Sequence, residues 1–122
     1  MVATIDTRSY QGPERRHRRV FVTAHSEYYT RDGICVAVRN RQSGEFYPEH
    51  HAIGRRLTGS LRLTRDGVAS ASPPEHPGLG EQLCFSSGDI EDVHNIITSP
   101  LQSVERPSKE IVESGVHPIA SP

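Results

Sequence analysis

The amino-acid sequence predicts an all-β domain: a small antiparallel β-barrel or sandwich with disordered N- and C-terminal tails. Short apolar runs recur along the chain, turn signals separate them about every eight to twelve residues, and no amphipathic pattern is long enough for an ordinary helix. A chain of 122 residues allows one hydrophobic core, and a hydrophobic content of 34% predicts a thin one. We expect a flexible arm over residues 1–14, the β-domain over 15–107, and a tail over 108–122 with a weak helix start at Ser108.

The first strand is predicted to begin near Arg19. Residues 20–24 alternate valine or alanine with phenylalanine or threonine, a pattern typical of a strand that is covered on both faces. Asp32-Gly33 then predicts a two-residue hairpin, because both positions of such a turn require positive φ. The apolar run Ile34–Val38 supplies the second strand of that hairpin.

A second hairpin is predicted around Asp66-Gly67. Leu57, Leu61 and Leu63 are separated by even numbers of residues, which places them on one face of a strand with period two. Val68–Ala71 forms the returning strand after the turn. The three prolines between residues 72 and 78 then predict a surface loop, since proline has no N–H to donate to a ladder.

Two further strand segments are predicted towards the C-terminus. Leu83–Phe85 is a short apolar run between glycines and serines, and Asp89–Asp92 follows as an acidic loop. Val93–Ile97 and Leu101–Val104 flank Pro100, so we expect them to form one bent strand at an edge of the sheet.

The sequence contains no complete catalytic or metal-binding motif. The adjacent His50 and His51 would point to opposite faces of a strand, and the seven histidines include no H-x-x-x-H spacing. No serine lies in G-x-S-x-G, and Cys35 and Cys84 lie in strand-like runs, where cysteine is usually a small buried hydrophobe. We therefore predict a non-enzymatic protein with no cofactor and no metal site.

Charge is distributed unevenly along the chain. Residues 1–65 carry twelve arginines against six acids, whereas residues 66–122 carry two basic residues against nine acids. Arginine presents a planar fork that grips phosphate or carboxylate with two hydrogen bonds. Two interpretations remain open: an anion site in the first half, or neutralisation of one half by the other. The candidate binding residues are the densest cluster, Arg15, Arg16, Arg18 and Arg19.

This cluster resembles a known motif. Arg15 and Arg19 form R-x-x-x-R just before a predicted strand, and the arrangement is similar to the N-terminal motif of PilZ domains, small six-stranded barrels that bind cyclic di-GMP. The resemblance implies that the paired arginines hold the phosphates and guanines of the ligand. The family's second motif, [D/N]-x-S-x-x-G, is missing, because the segments 40–44 and 66–70 both fail its spacing. The chain would then be a non-canonical member.

Three binding functions remain open at this stage. The first is a binding or assembly module whose partner is another protein or a second copy of the chain, and the second is a cyclic di-GMP receptor. The third, ranked last, is single-stranded nucleic-acid binding, in which the arginines follow phosphates and aromatic rings stack on bases. The rings near enough in sequence to contribute are Phe21, Tyr28, Tyr29 and Tyr47. No apolar run is long enough to cross a bilayer and the first residues lack a signal pattern, so no membrane partner and a cytoplasmic location are expected.

Overall fold

The computed structural model describes residues 17–87 and 95–107, and this part of the chain is all-β. It holds seven strands: β1 (Arg18–Thr23), β2 (Ser26–Arg31), β3 (Ile34–Asn40), β4 (Arg56–Thr64), β5 (Gly67–Ser72), β6 (Gln82–Ser86) and β7 (Asn95–Glu105). The predicted fold class is confirmed. Nowhere in these ranges does a helix have the length and apolar character needed to cross a membrane.

All strands belong to one antiparallel sheet that closes on itself. The order is β3-β2-β1-β7-β6-β4-β5, and a further pairing joins β3 to β4 through Ile34 and Arg56. Two backbone hydrogen bonds reinforce this closure: the Cys35 N–H donates to the Arg55 carbonyl at 2.9 Å, and the Leu57 N–H donates to the Gly33 carbonyl at 2.8 Å. Six strands therefore form a ring, and β5 extends β4 outside it.

Both predicted hairpins are present. Asp32 and Gly33 have φ values of 53° and 83°, as the two-residue turn between β2 and β3 requires. In the second hairpin Thr64 pairs with Gly67, so the turn consists of Arg65 and Asp66, and Gly67 is already the first residue of β5.

The inner face of the ring holds the main core. Its largest fully buried side chains include Phe21, Phe85, Leu83 and Leu101. A second cluster of Val20, Val22, Tyr29 and Ala37 lies on the opposite face of β1, β2 and β3. Both faces of β1 are therefore buried, as its sequence pattern predicted, because successive residues of a strand point in opposite directions.

The prediction that Leu57, Leu61 and Leu63 share one face of β4 is wrong, because a β-bulge interrupts the strand. Leu57 is opposite Phe85 and Gly59 is opposite Cys84, so Thr58 is an extra residue and the orientation inverts after it. Ser60 consequently faces the core opposite Leu83, and Leu63 is 49% exposed. Gly59 fits the bulge, because a Cβ there would lie 2.8 Å from the Ser72 carbonyl oxygen at a φ of 151°.

The segment around Pro100 is one strand, as expected, but it is not an edge. Strand β7 pairs with β1 on one side and with β6 on the other. Register shifts on both sides accommodate Pro100, and a side chain replaces a lost backbone partner: Thr98 Oγ1 accepts the Leu83 N–H at 3.0 Å. The expected arm (1–14), the acidic loop (89–92) and the tail (108–122) lie outside the described residues.

Candidate functional site

A cleft of about 440 Å³ opens at one end of the ring, and we call it the Arg19 cleft. It lies where five segments meet: the start of β1, the end of β2, the β2–β3 turn, the start of β4 and the loop after β5. Its apolar wall lies over the buried side chains of Phe21 and Leu57, with the buried Thr30 beside them. Its polar rim includes His17, Arg19, Asp32, Arg56 and Glu75. A concave site with an apolar wall and a few converging polar groups is the usual form of a small-molecule pocket.

Arg19 is held in place from two directions. Its guanidinium donates to the Glu75 carbonyl oxygen at 3.0 Å and to the Pro74 carbonyl oxygen at 3.5 Å. Its Cζ lies 5.3 Å from the centre of the Phe21 ring, within the range of a cation–π contact. A guanidinium has five N–H donors, so these two carbonyls leave donors for a ligand.

The opposite wall of the Arg19 cleft carries Arg56, which is exposed at the first position of β4. Within the described part of the chain its guanidinium donates a long hydrogen bond, 3.5 Å, to the Asp32 carbonyl oxygen. The Asp32 carboxylate contacts His17 Nδ1, and the Asp32 N–H donates to the His17 carbonyl at 2.7 Å. The rim therefore presents two guanidinium groups across the cleft, while one of its two carboxylates is engaged by a histidine.

The structure divides the predicted arginine cluster. Arg15 and Arg16 lie outside the described residues. Arg19 points to the same side of β1 as Phe21, at the mouth of the ring, whereas Arg18 points to the other side with Val20. Arg18 also stands opposite Arg31 in the β1–β2 register and is not among the residues that line the Arg19 cleft.

Sequence reasoning missed Arg56, His17 and the loop residues Pro74 and Glu75 as parts of the site. Arg56 is 37 positions from Arg19 in the sequence, and the closure of β3 onto β4 brings the two together. A basic residue at the start of a strand was the one available signal, and nothing in the spacing connects it to Arg19. The two loop residues contribute main-chain carbonyls, which no side-chain motif can reveal.

A second polar cluster anchors the loop that holds Arg19. The Glu81 carboxylate accepts hydrogen bonds from Ser60 Oγ and Ser70 Oγ, each at 2.7 Å, and from the Gly78 N–H at 3.2 Å. These donors lower the pKa of Glu81 from 4.5 to about 2. A carboxylate with so low a pKa is a weak base, so this cluster does not activate a serine for nucleophilic attack near neutral pH. Its effect is to fasten the end of the loop to β4 and β5.

His50 and three of the aromatic residues have structural positions. His50 packs edge-on against Tyr28, its Nδ1 accepts the Ala52 N–H at 3.1 Å, and burial lowers its pKa. Phe21, Tyr28 and Tyr29 are all buried, which leaves none of these three rings exposed for stacking on a base. No group of three or more metal-ligating side chains converges within residues 17–87 and 95–107.

No family model matches the sequence, and no curated protein or solved structure is significantly similar to it. The geometry of the Arg19 cleft is therefore the basis for assigning a function to this chain.

Proposed function

We propose that the chain is a non-catalytic binding module and that the Arg19 cleft is its binding site for an anionic ligand. The observation that carries this proposal is the position of Arg19 at the mouth of the ring, fixed by two loop carbonyls and by the Phe21 ring, with Arg56 on the opposite wall. A guanidinium that is already ordered loses less conformational entropy when a ligand binds.

The charges of the cleft support an anion with two separated acceptor groups. Arg19 and Arg56 stand on different walls, and a ligand that spans the cleft can accept hydrogen bonds from both. Charge-assisted hydrogen bonds from arginine to phosphate are stronger than neutral ones and fix the orientation of the ligand. His17 Nδ1 contacts the Asp32 carboxylate, so one oxygen of this rim carboxylate is already engaged within the protein.

Cyclic di-GMP is the first ligand to test. Two features support it: the six-strand ring agrees with the fold that the PilZ resemblance implies, and the second arginine of the R-x-x-x-R motif is the residue that reaches the cleft. The first arginine of the motif, Arg15, lies outside the described residues. The missing second motif implies weaker binding than in a PilZ domain with both motifs.

Isothermal titration calorimetry of the full chain with cyclic di-GMP tests this proposal directly. We expect saturable binding at micromolar ligand that Arg19→Ala weakens by roughly tenfold to a hundredfold, the loss of about 1.5–3 kcal/mol for a hydrogen bond to a charged group. Arg19→Lys keeps the charge and removes the fork, so it should recover only part of the affinity. Arg62→Ala removes an exposed arginine of β4 that is not part of the cleft, and it should bind like the unchanged chain.

Two outcomes would overturn the assignment. Equal loss of affinity in Arg62→Ala and Arg19→Ala would mean that net charge, and not the cleft, determines binding. No heat with cyclic di-GMP at high micromolar concentration would remove this ligand. Titration with a single-stranded oligonucleotide then separates the nucleic-acid alternative, for which affinity should fall steeply with salt.

A further inference from the structure

Among the residues that the structure describes, none pairs with the outer edge of β5, so this edge of the described sheet is open. Its first five residues are exposed and Ser72 is half-buried. At the other end of the strand order β3 is covered, because the Tyr47 N–H donates to the Val38 carbonyl and the Gly54 N–H donates to the Cys35 carbonyl, at 2.9 and 2.7 Å. No comparable backbone hydrogen bond reaches the outer side of β5 from any described residue.

Strand β5 lacks most of the features that protect an edge from pairing. Proteins blunt exposed edges with lysine, proline, inward-facing charge, short length or bulges. The sequence Gly-Val-Ala-Ser-Ala-Ser has six residues without charge or proline, and the one protective feature it has is the bulge opposite Arg62 and Leu63. Five of its six residues are glycine, alanine or serine, and these small residues allow another backbone to approach closely.

An exposed apolar pair lies beside this edge. Leu63 of β4 and Val68 of β5 are directly opposite each other, and they are 49% and 59% exposed. These two are among the most exposed large hydrophobic side chains of the described residues. A strand added along β5 would remove part of this apolar surface from water, which is favourable in proportion to the area buried.

We propose that β5 pairs with β5 of a second copy of this chain, antiparallel across a two-fold axis. Two-fold symmetry places the β4–β5 turn of one copy beside the residues that follow β5 in the other. Arg65 in that turn and Glu75 after β5 are both exposed and carry opposite charges. The same pair therefore forms twice, and this charge complementarity selects a second copy as the partner.

The dimer is weak, because six-residue strands bury less than the roughly 1,600 Å² of a standard interface. We expect sedimentation equilibrium of the full chain to show reversible dimerisation with a dissociation constant between about 1 μM and 1 mM. A strict monomer up to about 1 mM would overturn the proposal.

Two matched variants locate the interface. Val68→Lys places a charge on the open edge and should raise the dissociation constant at least tenfold. Ile97→Lys places the same charge on an exposed hydrophobic residue of β7, which is 46% exposed and distant in the strand order, and it should dimerise normally. Equal effects of the two substitutions would overturn the assignment to β5. Circular dichroism checks that both variants keep the β-structure.

Charge reversal tests the two-fold arrangement itself. Arg65→Glu and Glu75→Arg should each weaken the dimer, and the double variant should restore it, because the pair is reformed with exchanged charges. A double variant no tighter than the single variants would contradict the antiparallel pairing. Arg56→Ala removes a cleft arginine whose described hydrogen bond is to Asp32, and not to β5 or Glu75. It should weaken ligand binding and dimerise fully, so loss of ligand binding and loss of dimerisation are distinguishable.

Discussion

At the residue scale, Glu81 shows how hydrogen bonds stabilise a buried charge. It is 5% exposed, and hydroxyl groups and a backbone N–H satisfy its oxygens. Buried carboxylates are stable when hydrogen bonds favour the charged form, which is why the pKa of Glu81 falls to about 2. Glu81 lies at the end of the loop whose Pro74 and Glu75 carbonyls hold Arg19, so the hydrogen bonds of Glu81 also help to position the wall of the Arg19 cleft.

We predict that Glu81→Gln destabilises the protein most above pH 4.5, the ordinary pKa of the carboxyl group. The folded-state pKa is lowered, so the ionised group contributes stability that is fully present above 4.5 and is lost as the pH falls towards 2. Urea unfolding should therefore show a gap between the two proteins that narrows over this range. Glu49→Gln, at an exposed loop position, is the control, and a gap that does not change with pH would contradict the prediction.

The two thiols should differ in reactivity. Cys35 is fully buried, and burial raises its pKa to about 12, whereas Cys84 is partly exposed. Because the thiolate is the reactive form, a thiol reagent should modify Cys84 slowly in the folded protein and Cys35 only after unfolding. In Cys84→Ser, absorbance assays should detect no thiol until denaturant is added. Rapid reaction of that variant in native buffer would contradict the burial of Cys35.

At the element scale, β7 depends on a side chain to tolerate proline. Thr98 is buried and its hydroxyl accepts the Leu83 N–H near Pro100, where the β6–β7 register shifts. Thr98→Val has the same shape but leaves that N–H without its acceptor, so we expect a loss of about 1–3 kcal/mol in the free energy of unfolding. Thr98→Ser retains the hydroxyl and should lose much less. Equal losses would mean that packing of the methyl group, and not the hydrogen bond, matters here.

Local signals in the sequence were sufficient to predict the adjacent strands. Asp32-Gly33 specifies its turn through backbone conformation alone, and the hairpin follows without knowledge of the rest of the chain. The orientation of Leu61 and Leu63 could not be predicted in the same way. It depends on the bulge at Thr58, which is set by pairing with β6 and by the close approach of the Ser72 carbonyl to Gly59. Pro100 predicted an edge strand, because proline has no N–H to donate to a neighbouring strand. The sequence does not reveal that β1 and β6 lie on either side of β7.

The residues of the Arg19 cleft divide in the same way: those near Arg19 could be predicted from local sequence, and those distant in sequence could not. Arg19 was identified because it belongs to a dense run of arginines, and it does reach the cleft. Arg18 is not part of the cleft, because adjacent residues of a strand point to opposite faces and Arg19 points to the cleft. Closure of the sheet places Arg56 at the cleft, and the path of the loop after β5 places Pro74 and Glu75 there. No short sequence motif encodes the closure or the path of that loop.

At the scale of the whole molecule, the β3–β4 closure is the narrowest connection in the ring. It consists of one register pair, Ile34 with Arg56, together with the bonds from the Cys35 and Leu57 N–H groups. Strand β1, by contrast, is paired along both edges. Parts of a protein with few hydrogen bonds open at lower free energy than the rest. The ring should therefore open first between β3 and β4.

Native-state hydrogen exchange measured by NMR tests this expectation. The Cys35 and Leu57 amides should exchange through local opening, at a lower free energy than the amides of β1. Gly33, Arg56 and Leu57 also line the Arg19 cleft, so an anion bound to both Arg19 and Arg56 would join β1 to β4 beside the closure. Binding to the closed state alone must slow the opening. Saturating ligand should then protect Cys35 and Leu57 in the unchanged chain and have no such effect in Arg56→Ala; equal protection in both would contradict a ligand that spans the cleft.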